Sequence, residues 1–224
     1  MIPWKISKDD IEIRFLGRTA PSDREQALLE EGISAVELAT LRQVHSSRVL
    51  PASPGLCGEG DALWTTRRKL ALSVTTADCV PLVVADQKRL AVIHAGWRGI
   101  VAGVVPATLA ALGSSEGLAA WIGPAIGACC YEVGEDIAAA LVSATSPSVT
   151  VAVSVPGRRP HVDLCRAVDV QLRRAGVSEV HTLGHCTRCR KEELWSYRRS
   201  GAAAGRNLTL AWLSAVNAGG EGCA

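Results

Sequence analysis

The stretch Thr75–Gly99, TTADCVPLVVADQKRLAVIHAGWRG, decides how the chain is read. Two apolar runs, Val80–Ala85 and Leu90–Ile93, lie either side of the polar break DQKR. Short apolar runs bounded by turn-forming residues read as buried strands. Cys79 stands just before the first run and His94 just after the second. If the two strands pair antiparallel, the thiol and the imidazole meet at one edge of a sheet. The stretch then supplies half of a reactive site.

Working outward, IEIRFLG alternates apolar and charged residues as a half-buried strand does. SDREQALLEEG reads as a helix with Ser22 as N-cap, Glu25 completing a capping box and Gly32 as the stop. ATLRQVH and SRVLPA read as short strands on either side of His45, and LALSVTT as another. WRGIVAGVVPATLAALG reads as a helix ending at Gly113, with Pro106 expected to kink it or mark its true start. LAAWIG is a strand, GEDIAAALVSAT a helix, VTVAVSV a strand, and DLCRAVDVQLRRAGV a helix capped by Asp163. VSEVHTLG and RNLTLAWL close the series as strands. Strands outnumber helices, and successive strands lie too close for helical crossovers. The expectation is therefore mixed or antiparallel sheets with helices outside, as one domain over 1–224, and not a doubly wound parallel sheet.

Composition narrows the functions. The 224 residues carry 24 Lys+Arg against 22 Asp+Glu, a formal charge of +2, which argues against a dedicated nucleic-acid binder. The longest uncharged stretch, Gly99–Ser115, contains Gly103 and Pro106 and is shorter than the about 20 apolar residues of a bilayer span; a buried helix fits it better. The opening MIPWKISKDDIEI has charges where a secretory leader has its apolar core, so a cytoplasmic location is expected. Eight cysteines in such a chain are expected to be reduced, some of them metal-binding or catalytic.

Five histidines are present, at 45, 94, 161, 181 and 185. His45 in RQVHSS, with Cys79 and His94, makes a candidate ligand set of two imidazoles and one thiolate; three protein ligands and an open fourth position describe a catalytic zinc. The gaps match no short ligand motif, so a buried cysteine beside two ordinary histidines remains the alternative. Asp61 in GDALWTT could orient a ligand histidine or bind a sugar hydroxyl; its plainer reading is a turn-forming Asp. Arg98 follows HAGW, and SYRRSGAAAGRN adds Arg198, Arg199 and Arg206 around a Gly/Ala loop. Arginine suits bidentate phosphate recognition, although most such arginines are surface residues. HCTRC holds Cys186 and Cys189 as CxxC. A structural zinc there wants a second pair at similar spacing, which the adjacent Cys129–Cys130 does not supply, so a loop with two incidental thiols is the expectation.

Taken in order, RQVHSSRV, GDALWTT, TTADCVPLVVAD, LAVIHAGWRGIVAGV, IGPAIGACCYEVGEDI and WSYRRSGAAAGRN resemble the YfiH/YlmD-type family over roughly residues 40–213. Members of that family have been described as laccase-like multicopper polyphenol oxidoreductases and as purine nucleoside phosphorylases with adenosine deaminase activity. The resemblance implies a layered α/β sandwich of mixed β-sheets with outer helices, similar to cytotoxic necrotizing factor catalytic domains. It implies a catalytic metal, zinc with copper as the alternative, on His45, Cys79 and His94, and a substrate site that takes in Asp61, Arg98, Cys130, Arg198 and Arg206. The segment before His45 lacks the Asn- and Gly-rich stretch that many relatives carry.

The function expected from this resemblance is zinc-dependent phosphorolysis of adenosine, inosine or methylthioadenosine, with deamination of adenosine. The partners expected are a purine nucleoside and phosphate, with no nucleic acid and no membrane, for a monomer or weak homodimer. A four-copper laccase needs far more histidines than five, while oxidation at a single copper remains an alternative. A cysteine hydrolase with Cys79 as nucleophile and His94 as base competes with the metal reading, because a metal-bound thiolate is quenched. A non-catalytic interaction domain is the last alternative.

Overall fold

The structure is a computed structural model that describes residues 4–18, 20, 23–31, 37–151 and 159–215. In chain order the strands and helices are β1 (Trp4–Lys8), β2 (Ile11–Leu16), α1 (Arg24–Glu30), β3 (Glu37–Arg42), β4 (Val49–Pro51), β5 (Gly55–Glu59), β6 (Ala62–Thr65), β7 (Leu70–Thr76), β8 (Val80–Ala85) and β9 (Leu90–Ala95). There follow α2 (Trp97–Val101), α3 (Val104–Leu112), β10 (Ala119–Ile122), α4 (Glu135–Ala144), β11 (Thr150–Val151), β12 (His161–Val162), α5 (Leu164–Arg174), β13 (Glu179–Thr182), α6 (Tyr197–Ser200) and β14 (Asn207–Leu213).

Two six-stranded sheets carry the architecture, in the orders β1-β2-β14-β7-β3-β5 and β13-β10-β8-β9-β6-β4. Both are mixed. β3 runs parallel to β5 and β7, and β14 antiparallel to β2 and β7. β8 and β9 pair antiparallel with Val80 opposite Ala95 and Pro81 opposite His94, so Cys79 and His94 do meet at one sheet edge.

Side-chain alternation assigns the layers. Val80, Leu82, Val84, Ala91, Ile93 and Ala95 turn one face of the second sheet toward α2, α3, α4 and α5. Val83, Ala85, Leu90 and Val92 turn the other face toward Ile13, Phe15, Leu72 and Val74 of the first sheet. The outer face of the first sheet packs Leu208, Leu210 and Trp212 against Ala27 and Leu28 of α1. The central strands β8 and β9 are buried on both faces, which is why they read as continuous apolar runs instead of alternating ones. Leu82 has no exposed surface, and its truncation to alanine should cost about 2–5 kcal/mol.

Three boundaries differ from the sequence reading. The N-cap of α1 is Asp23, whose carboxylate accepts from the Gln26 N–H; Ser22 and Gly32 lie outside the described residues. The 97–113 segment is two helices, broken at Gly103, which takes a left-handed φ of 84°. Pro106 is the third residue of α3, within the first turn where N–H groups have no helical acceptor, so it causes no kink. Of the strand read over VTVAVSV, Thr150–Val151 is observed and 152–155 lie outside the described residues. Asp163 caps α5 as expected, accepting from the Arg166 N–H at 2.9 Å. No helix among the described residues is long and apolar enough to cross a membrane.

Candidate active site

The site forms where the two sheets part. Along β8 and β9 the even-numbered residues of the first and odd-numbered residues of the second face the helices. Cys79 and His94 therefore fall in the other register, toward the neighbouring sheet. His45 comes from that neighbour: it sits in the 43–48 segment that leaves β3 in the first sheet and enters β4 in the second. The three side chains converge, with a ligand atom from each within 4.8 Å of the others. Cys79 Sγ lies 3.9 Å from His45 Nε2, and the two imidazoles meet edge to face at 4.8 Å.

Asp61 builds the support. It has no exposed surface. Its Oδ1 accepts from the His45 N–H at 3.0 Å and pairs with His94 Nδ1 at 2.8 Å. Its Oδ2 accepts from the Val44 N–H at 3.3 Å, the Ser46 N–H at 2.6 Å and the Ser46 hydroxyl at 2.8 Å. The bond to Nδ1 leaves His94 Nε2 as the nitrogen that can reach a metal. The geometry fits the orienting reading of Asp61, since the buried carboxylate is bonded to His94 Nδ1. His45 needs the support, because its φ of 59° is left-handed for a non-glycine residue.

Without a metal the charges settle as an ion pair. Burial pushes the Cys79 thiol up, but hydrogen bonding to His45 and His94 and their charge bring it down to about 6. Burial disfavours charge on His94, yet Asp61 and Cys79 raise it to about 9. Asp61 is held at about 2, because His94 and Ser46 outweigh its burial. The donor set fits one transition-metal ion: a thiolate and two imidazoles on one side, with a cavity opposite. The packing agrees, since a Cβ on Gly96 would stand 3.0 Å from Cys79 Sγ and 3.0 Å from His45 Cδ2.

The cavity beside these residues measures about 730 Å³, within the range of small-molecule sites. Trp97, Tyr131 and Tyr197 give it aromatic surface; Arg24, Arg98, Arg198 and Arg206 give it positive charge. Arg98 stacks on Trp97 at 4.6 Å and Arg198 on Tyr131 at 4.9 Å. Arg198 is fixed by its backbone N–H, which donates to Asp78 Oδ2 at 2.6 Å, and by its guanidinium, which donates to the Glu132 carbonyl at 2.6 Å. Arg206 is exposed and donates to the Ala204 carbonyl at 2.8 Å. Arg199 is taken up structurally, donating to the carbonyls of Thr187, Arg188 and Leu194.

Cys130 is not among the residues that line the cavity. Its sulfur lies 3.4 Å from Cys189 Sγ, in a cluster completed by Cys129 and Cys186. The expectation that Cys129–Cys130 supplies no partner for the CxxC is corrected accordingly. Sequence reasoning also passed over Tyr131, Tyr197, Trp97 and Arg24. Trp97 and Tyr131 lie within the quoted motifs HAGWRG and CCYEVG, whereas nothing in the sequence around Arg24 marks it.

Fold and site together define a two-sheet α/β protein built around a His–Cys–His set that could hold a metal ion. The chain belongs to the family described as multi-copper polyphenol oxidoreductase laccase, whose profile matches residues 20–214. It is 39% identical over 178 residues to a purine nucleoside phosphorylase of Pseudomonas aeruginosa, covering 77% of this chain and 73% of that one. It is 32% identical over 178 residues to the purine nucleoside phosphorylase YfiH of Escherichia coli, covering 77% and 72%. A crystal structure of a Neisseria meningitidis protein superposes with a TM-score of 0.83 at 27% identity, over 95% of this chain and 99% of that one. YlmD from Geobacillus stearothermophilus shares the fold, with a TM-score of 0.78 at 23% identity over 92% of both chains.

Proposed function

We propose that this chain is a metal-dependent purine nucleoside phosphorylase acting on adenosine, inosine and methylthioadenosine, with adenosine deaminase activity in the same cavity. The observation that carries the reading is one cavity in which a His–Cys–His set, three aromatic side chains and four arginines meet. Purine nucleoside phosphorylases among the relatives, at 32 to 41% identity, support it. In phosphorolysis a phosphate oxygen bonds to C1′ of the sugar, the C1′–N9 bond breaks, and the purine leaves with the bonding pair and takes up a proton. The reaction needs cationic groups for the phosphate and a donor for the departing base.

Arg206, Arg198 and Arg98 are assigned to the phosphate, and Trp97, Tyr131 and Tyr197 to the purine and sugar. Tyr131, pushed up to about 12 by its burial and by the charge of Cys79, keeps its hydroxyl proton and can donate a hydrogen bond to the base. His45, Cys79 and His94 would hold zinc, or copper in its place, with Asp61 fixing His94. An ion held by these residues would supply Lewis acidity, to polarise a substrate atom or acidify a water for deamination. The laccase description of the family finds little support in the ligands. A four-copper laccase needs a trinuclear cluster of further histidines beyond the two histidines and cysteine of a blue-copper site, and this cavity offers two histidines among the described residues, enough for a single copper at most.

A second reading has an observation in its favour: in the metal-free state Asp61, His94 and Cys79 form an orienter, an imidazolium and a thiolate, as in a cysteine hydrolase. Chromatography of products from adenosine and inosine, with and without phosphate, tests the main reading. Base release should require phosphate, and Arg206→Ala should weaken apparent phosphate affinity by roughly ten- to a hundredfold, the loss of one charged hydrogen-bond partner. Base release indifferent to phosphate would overturn phosphorolysis; an unchanged phosphate requirement in the variant would remove Arg206 from the site.

A further inference from the structure

Outside the active site, four sulfurs from two distant parts of the chain meet. Cys129 and Cys130 come from the turn before α4, and Cys186 and Cys189 from the loop after β13. All four Sγ atoms lie within 4.8 Å of one another, with Cys129–Cys189 at 3.7 Å and Cys130–Cys189 at 3.4 Å. A disulfide requires about 2.05 Å between sulfurs, and all four cysteines are free thiols. Four thiolates about 2.3 Å from a central zinc stand about 3.8 Å apart at tetrahedral angles. The spacings of 3.7 and 3.4 Å are close to the second arrangement and far from the first.

The backbone around the sulfurs is organised for it. The Gly127 N–H donates to Cys186 Sγ at 3.3 Å, and the N–H groups of Arg188 and Cys189 face the same sulfur. That is a tight CxxC turn wrapped around its first sulfur, which places the second sulfur on the same side. The Ala125 N–H donates to the His185 carbonyl at 3.2 Å, and the Thr187 N–H to the Ala125 carbonyl at 3.0 Å, so the two loops are laced in register. A Cβ on Gly127 would come within 3.3 Å of Cys129 Sγ and 3.4 Å of Cys186 Cβ, so the cluster is seated on a bare backbone.

We propose that Cys129, Cys130, Cys186 and Cys189 form a tetrathiolate site for a structural zinc ion, separate from the His45–Cys79–His94 centre. Coordination by four thiolates leaves no open position and fits a structural role. The residue it would steady is Asp78. Thr187, between the two cysteines of the CxxC, donates its hydroxyl to Asp78 Oδ1 at 2.6 Å. Asp78 Oδ2 holds the Arg198 N–H, and the Asp78 carbonyl accepts from the Ile126 N–H at 2.9 Å. Asp78 itself has a left-handed φ of 97° and precedes Cys79. The ion would thus lock the loop that presents Tyr131, the loop that presents Arg198, and the strained residue beside the active-site thiol.

The test is metal analysis of the full chain, purified with reductant and reconstituted with zinc. Wild type should hold two zinc ions per chain, Cys79→Ala one, and Cys186→Ser/Cys189→Ser one. Cobalt bound to Cys79→Ala should show intense thiolate-to-metal charge transfer and tetrahedral ligand-field bands, which Cys129→Ser, at an exposed position, should alter even where the double variant does not fold. One zinc in wild type that Cys79→Ala abolishes would overturn the proposal. So would a reduced chain whose four thiols resist cobalt, or a non-reduced chain lighter by the hydrogens of disulfides among these cysteines.

Discussion

Replacing Asp61 by asparagine tests the support of the active site. The carboxylate accepts five hydrogen bonds: from His45 and His94 on Oδ1, and from the Val44 N–H and both donors of Ser46 on Oδ2. An amide keeps one acceptor oxygen and turns an NH2 toward the donors on the other side. At least two buried donors then lose their partner, at about 1–3 kcal/mol each, so the variant should lose about 2–6 kcal/mol. The hold on the carboxylate agrees in scale: a fall from 3.8 to about 2 corresponds to roughly 2 kcal/mol favouring the ionised form. Because an orienting partner of a ligand histidine is removed, zinc affinity should fall roughly 10- to 100-fold. Urea unfolding of the metal-free protein and chelator competition read the two effects. Ser46→Ala, which removes one donor only, should cost about 1 kcal/mol and serves as the milder variant. Stability within about 0.5 kcal/mol of wild type together with unchanged zinc affinity would refute the assignment of Asp61 as the support.

Further outcomes concern the ligands and their charge. Cys79→Ala should lose the active-site zinc while staying folded, and equal zinc in both proteins would contradict the ligand set. Alkylation of Cys79 should be slow with zinc bound and fast after chelation, because the free thiol is held at about 6; fast labelling of the zinc-loaded protein would favour the hydrolase reading. Gly96→Ala should weaken zinc binding without unfolding the chain, since its Cβ meets Cys79 and His45, and unchanged affinity would contradict the close packing. In the metal-free protein, the contribution of His94 is full below 6.5 and lost as pH rises through about 9. That of Cys79 is full above 9.0 and lost as pH falls through about 6, so the two slopes oppose and stability should be nearly flat from about pH 6.5 to 9. A measured slope of about 1.4 kcal/mol per pH unit there would show that the two groups do not titrate as a pair.

The centre of the fold was legible because β8 and β9 are short apolar runs ended by turn residues, and antiparallel pairing follows from the short DQKR break. That pairing alone brings Cys79 to His94. His45 could not be reached in this way: it arrives from the other sheet, and its place depends on how the sheets stack. The CxxC was misread for the same reason. Its partner thiols lie about sixty positions away, and only the lacing of the 125–131 and 185–189 loops brings them in. Pro106 drew attention as a helix breaker, yet a first-turn proline costs nothing and the break belongs to Gly103. Arg24 reaches the cavity through the packing of α1 on the first sheet, which no local pattern encodes.

The central claim is that this cavity breaks an N-glycosidic bond with phosphate. Adenosine incubated with the zinc-loaded enzyme and phosphate in 18O-labelled water, followed by mass spectrometry of sugar and base, tests it most directly. Phosphorolysis should give ribose 1-phosphate without label, while deamination of adenosine should place the label on the purine ring of inosine. Free ribose carrying the label at C1, formed at the same rate whether or not phosphate is present, would contradict it.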